Sequence, residues 1–142
     1  MARILMPFLL FSFWGSNEAP KTGTVVFEIR NIDPKLGGNI SAGIFQKEFF
    51  PQVGKQFQGK DLKVSGRSMT ITIKEVPPGT YGAVAFQDAN ENQELDANFL
   101  GFPTEPIGFA NGAQINFGPP SFEDASIRVE EGKVSRIVIK LN

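Results

Sequence analysis

Two residue types are missing from the chain: it has no cysteine and no histidine. Without cysteine there are no disulfides, iron–sulfur sites or thiol nucleophiles. Without histidine there is no Ser-His-Asp relay, and the two absences together remove zinc fingers. Any metal here must be a hard ion held by oxygen. Aromatic rings other than Phe are scarce, with one Trp and one Tyr against 14 Phe. Basic residues are absent from one long stretch. Between Glu75 and Ile127 there is no Lys or Arg, yet eight acids fall there: Glu75, Asp88, Glu91, Glu94, Asp96, Glu105, Glu123 and Asp124. The rest of the chain carries all 14 basic residues against seven acids, so the net charge is only −1. Such segregation creates a field that favours cations at the acidic part; solvated loops alone also account for it. The Lys and Arg elsewhere are scattered over strands, with no run interleaved with aromatics, which argues against nucleic-acid binding.

What is present suits a single all-β domain. A length of 142 residues fits one domain with a core that needs no staples. Fifteen Gly and ten Pro favour many turns and short strands. Residues 1–20 read as an export signal: Arg3 is the positive flank and Ile4 to Trp14 the apolar run, too short to span a bilayer. The nearest cleavage triplet, Asn17-Glu18-Ala19, is a poor one, which leaves an uncleaved anchor or a first strand as alternatives. A lipoprotein is excluded, since there is no Cys to acylate. Export places residues 21–142 in the periplasm or outside the cell, with no stable membrane span in the mature chain.

Alternation marks the strands. Thr24–Arg30 turns Val25, Phe27 and Ile29 inward and leaves Val26 as an outward exception. Asn39–Gln46 buries Ile40, Ala42 and Ile44. A weak strand falls near Lys60–Val64. Ser68–Val76 has the cleanest alternation, with Met69, Ile71 and Ile73 inward. In Pro77-Pro78-Gly79, Pro78 and Gly79 suit the central positions of a type II turn. Tyr81–Phe86 is apolar on both faces and reads as a central strand. Ala125–Glu130 and Arg136–Leu141 alternate again around a compact Glu131-Gly132 turn. Phe49 and Phe50 read as plugs for the end of a sandwich. The expectation is a seven- to eight-stranded Greek-key sandwich, immunoglobulin-like, with a long acidic loop at 88–124.

At Pro78-Gly79-Thr80-Tyr81, a turn leading into an apolar strand, the sequence is similar to transthyretin-like and carboxypeptidase-regulatory-like modules. The longer series GTYGAVAFQDANENQELDANFLGFPTEPIGF, followed by FGPPSFEDA, resembles the bacterial family known as domain of unknown function 2141. The resemblance covers roughly residues 23–142. It implies a small exported protein with a transthyretin-like sandwich, and no established activity. The chain departs from the expected pattern at Gln87 and Gln93, where the resemblance implies a His and a Gly.

One loop carries chemistry. Asp88 to Asp96 reads D-x-N-x-N-x-E-x-D. In a calcium loop, oxygens come from alternate residues as the chain wraps the ion. Asp88, Asn90 and Asn92 would supply side chains, Glu94 its carbonyl and Asp96 a further carboxylate. Gln93 stands where the sharp turn needs Gly, and Phe99 where a closing acid belongs, so Glu123 or Asp124 would have to complete the set. The competing reading is a connection whose Asp and Asn side chains close Asx-turns on their own backbone. Beyond it, Asn98–Asp124 carries five Phe. These either pin the segment to the sandwich or line a groove beside the acidic loop.

Three functions follow from these residues. The first is a non-enzymatic exported binding or structural module of the envelope, calcium-stabilised at the loop. The second is a carboxylate hydrolase using Asp96 and Glu123, which has no supporting motif. The third is a metal-free adaptor for an unknown envelope or extracellular partner, to which exposed Val26 and Val138 point. The sequence leaves the oligomeric state open.

Overall fold

A computed structural model describes Gly15, Glu18 and residues 21–142; the proposed export signal lies otherwise outside the described residues. Among the described residues eight strands form: β1 (Gly23–Arg30), β2 (Asn39–Phe45), β3 (Gln58–Lys63), β4 (Ser68–Val76), β5 (Gly79–Asp88), β6 (Ile107–Phe109), β7 (Ser126–Val129) and β8 (Val134–Lys140). They make two packed sheets. One has three strands in the order β4-β1-β8, and the other runs β3-β2-β5-β6 with β7 also on β5. In the smaller sheet β1 pairs antiparallel with β4 and parallel with β8. The sandwich follows from the alternation: Val25, Phe27, Ile29, Ile71 and Ile139 pack with Ile40, Ile44 and Ala83 in one apolar core.

The connection between β4 and β5 crosses from one sheet to the other. Pro77 and Pro78 form a corner, and Gly79, at φ 159°, is already extended strand rather than the left-handed centre of a type II turn. The Tyr81 hydroxyl donates to the Pro77 carbonyl at 2.7 Å and holds that corner. The Glu131-Gly132 turn likewise joins different sheets, since β7 pairs with β5 and β8 with β1; it is not a hairpin.

β5 is buried on both faces, as its composition predicts. One face points into the sandwich. The other carries a second apolar cluster of Phe45, Val84, Phe109 and Ala125, covered by Phe50, Ile107, Ala113 and Ile115. Phe50 meets Phe45, Phe109 and Phe122 edge to face, at centroid distances of 6.1, 6.3 and 5.8 Å. It lies flat over Gly82, where a Cβ would come within 2.4 Å of the ring. Phe50 therefore covers the outer sheet face instead of plugging the sandwich end. Phe49 is half-buried, with the Lys55 ammonium 5.7 Å from its ring centre.

Two further expectations are corrected. Val26 lies on the outer face of its sheet but is buried there, between its neighbours Thr72 and Arg136, so of the two outward valines only Val138 is exposed. The long connection contains β6, which pairs with Val84–Phe86 and exchanges backbone bonds with Asn142 at 3.0 and 3.2 Å. Three residues flanked by Pro and Gly carry too little alternation to stand out as a strand.

Candidate functional site

β5 runs on past its apolar centre to Gln87 and Asp88, both buried. Gln87 is fully enclosed. Its amide nitrogen donates to the carbonyls of Asp33 and Gly37 at 2.7 and 2.9 Å, and its oxygen accepts the Asp33 N–H at 3.1 Å. The residue that stands where the resemblance implied an imidazole therefore ties the β1–β2 turn to the central strand. Gly38, beside that turn, packs so tightly on the end of β5 that a Cβ would meet the Asp88 carbonyl oxygen at 2.0 Å.

The loop after Asp88 closes on itself. The Asp88 carboxylate accepts the backbone N–H groups of Asn92 and Gln93 at 3.2 and 2.8 Å. Asn90 Oδ1 accepts from the Asn92 N–H, and Asn92 Oδ1 from the Glu94 N–H. The Asn90 and Asn92 amide nitrogens both donate to the Asp96 carboxylate, at 2.6 and 2.9 Å. Asp88, Asn90, Asn92 and Asp96 are thus drawn together, as both readings of the loop require. The amide oxygens, however, face the backbone, and the amide nitrogens face Asp96. This is the Asx-turn arrangement. Glu94 contributes its N–H to that network and its side chain is exposed. Gln93 holds φ 61°, so the position where Gly was expected is left-handed indeed, and Glu91 two residues earlier holds φ 55°.

The closing acids are elsewhere. The Ala125 carbonyl accepts from Ala83 N–H, five residues before Asp88 on β5. At about 3.3 Å per residue, that puts roughly 16 Å of strand between Asp124 and the loop. Glu123 pairs with Lys47 at 2.6 Å at that same far end. Glu123 and Asp124 thus stand at the end of β5 opposite Asp88. Among the described residues no group of three or more Asp or Glu is arranged to hold a metal ion.

The acid that does reach the loop is Glu105. It is 8% exposed, and its two oxygens accept the N–H groups of Ala89 and Asp96, each at 3.1 Å. It clasps the two ends of the loop together. Burial, and then the charges of Asp96 and Asp88, raise its pKa above the usual value, while the two backbone N–H groups pull the other way. An acid set among Pro, Ile and Phe was the available signal for this residue. The charge segregation is also softened in space, because Lys63 of β3 reaches Glu91 at 3.1 Å.

Beyond Asp96 the chain makes a tight excursion. The N–H groups of Leu100 and Phe102 donate to Asn98 Oδ1, and Ala97 bridges Pro103. Phe109 and Phe122 do pin the long connection to the sheet, and Asn111 donates to the carbonyls of Asp124 and Ser126. Phe99 and Phe117 do not; they are 96% and 106% exposed, and Leu100 is 67% exposed. Between the two arms lie cavities of about 360 and 240 Å³ that share Phe102, Pro103, Ile107, Phe109 and Ile115 as walls. The connection is anchored at two of its Phe and open at others.

Among the described residues no helix is long and apolar enough to cross a membrane. No curated protein and no solved structure matches the chain. The model of one family, described as "Uncharacterized protein conserved in bacteria (DUF2141)", matches residues 20–137, and the chain belongs to that family.

Proposed function

We propose that the domain is an exported, non-enzymatic binding module that presents the loop-built end of its sandwich, Leu95 to Pro119, to a protein partner in the envelope or outside the cell. One observation carries this reading. Leu100 and Phe117 stand in solvent on the walls of an apolar groove, with Phe99 exposed next to Leu100 in the chain, and hydrogen bonds and buried aromatics hold this connection in place. Large apolar side chains gathered in this way mark an interaction surface. Export is supported by the charge and apolar run of residues 1–20.

The test is a selection of displayed peptides on the immobilised domain. Wild type is expected to enrich a defined sequence class, and the F99S/L100S/F117S variant is expected not to. Equal enrichment on both sinks the reading. Fractionation of cells carrying the tagged full-length chain tests export, with recovery in the cytoplasm the contrary result.

A second reading keeps calcium at the loop, because Asp88, Asn90, Asn92 and Asp96 already converge. For an ion to sit there, both Asn amides must turn over and present their oxygens. The N–H groups of Asn92 and Glu94 then lose acceptors, which costs about 1–3 kcal/mol each if no water replaces them. The metal-free adaptor is the reading that needs no such rearrangement.

A further inference from the structure

We infer that the groove between Leu95–Pro103 and Ile107–Pro119 takes an extended apolar segment of a partner protein whose Lys or Arg pairs with Glu105; this rests on the binding-module reading above. Charge complementarity selects that occupant. Glu105 forms part of the wall of the larger cavity, beside Phe102, Ile107, Phe109 and Ile115. Each of its oxygens accepts one backbone N–H and retains a further lone pair. No ion pair among the described residues reaches Glu105, Asp88 or Asp96. The whole span from Glu75 to Ile127 holds no Lys or Arg, so this part of the chain has no cation of its own to supply. The lysine that does reach the loop, Lys63, is engaged at Glu91. A buried carboxylate beside two other acids and without a counter-ion favours a ligand that brings one.

The remaining lining fits a peptide better than a small amine. Gln114 and Asn142 offer amides at the rim of the larger cavity, where an extended backbone can use them. The smaller cavity is mostly apolar, walled by Leu95, Leu100, Phe117 and Pro119, and takes the hydrophobic neighbours of the basic residue. The exposed Phe99 and Phe117 extend that contact beyond the reach of a small ligand.

The experiment measures binding of a short blocked peptide, Phe-Val-Lys-Phe-Leu, by calorimetry. Its companions are the same peptide with norleucine for Lys, and butylamine alone. The Lys peptide is expected to bind roughly 10–100-fold more tightly than the norleucine peptide, the difference a charged hydrogen bond makes. E105Q is expected to erase that difference. I115K, which places a cation and a long stem in the groove and leaves the Glu105 hydrogen bonds alone, is expected to abolish binding of both peptides. It keeps the test decisive should E105Q lose the loop, and thermal melts establish that each variant is folded. Equal binding of the two peptides overturns the role of Glu105 and leaves the binding-module reading standing. Absence of binding at millimolar peptide overturns the inference outright, while the display selection still judges the module. Butylamine binding as tightly as the Lys peptide assigns the site to small amines and overturns the peptide occupant.

Discussion

The side-chain amide of Gln87 pairs with the backbone of Asp33 in both directions, donating to its carbonyl at 2.7 Å and accepting its N–H at 3.1 Å. A third bond goes to the Gly37 carbonyl. Leucine has a similar volume and none of these groups. Q87L is expected to lower stability by about 2–3 kcal/mol, because buried backbone groups are left without partners. Chemical denaturation measures it, and a change within about 0.5 kcal/mol would mean that the turn is wet or dispensable.

Glu105 makes a prediction in pH. Burial, with Asp96 and Asp88, raises its folded pKa above the ordinary 4.5. The folded state then holds the proton over a window that opens near 4.5 and closes at the folded pKa, so stability from this group falls as pH rises through it. Glu123, lowered by its hydrogen bond from Lys47, acts with the opposite sign and is unchanged by substitution at 105. The advantage of wild type over E105Q is expected to be larger near pH 4.5 than at pH 7. Denaturant melts at the two values check it; an advantage that grows with pH contradicts the assignment.

Gln93 occupies a left-handed conformation that a Cβ disfavours. Q93G relieves about 1 kcal/mol of that strain, partly offset by the greater freedom of Gly when unfolded. A net gain of about 0.5 kcal/mol in stability, read by chemical denaturation, is expected. A loss would show that the Gln side chain contributes something its exposure does not suggest.

Calcium separates the two readings of the loop. With Asn90 and Asn92 turned towards the backbone, several millimolar calcium is expected to leave the melting temperature where a chelator leaves it. D88A is expected to lower stability equally with and without the ion, because the Asn92 and Gln93 N–H groups lose the carboxylate oxygens that accept from them. A calcium-dependent rise that D88A removes restores the metal reading.

The Phe residues divide by role. Phe50 covers Gly82 and touches three other rings, so F50A is expected to cost about 3 kcal/mol. F99S and F117S, at positions almost wholly in solvent, are expected to stay within about 0.5 kcal/mol of wild type. Large losses at Phe99 or Phe117 would make them structural and remove the basis for a binding surface.

Sequence by itself determined the architecture, because a half-buried strand writes its period directly into the chain. Val25, Phe27 and Ile29, or Met69, Ile71 and Ile73, place strands to within a residue or two. β5, apolar on both faces, identified the central strand. The loop at Asp88–Asp96 was legible as one that gathers its own oxygens, because short polar side chains at alternate positions act locally. What closes that loop was not, since Glu105 lies 17 residues beyond Asp88 and meets it only after β6 returns alongside β5. The same holds for Glu123 and Asp124: their acidity was plain, and their distance from the loop was set by β7 pairing with the opposite end of β5. Tertiary structure alone divided the Phe residues between cover and surface. Burial depends on which sheet face a connection crosses, and that is decided by strand pairing between residues far apart in the chain.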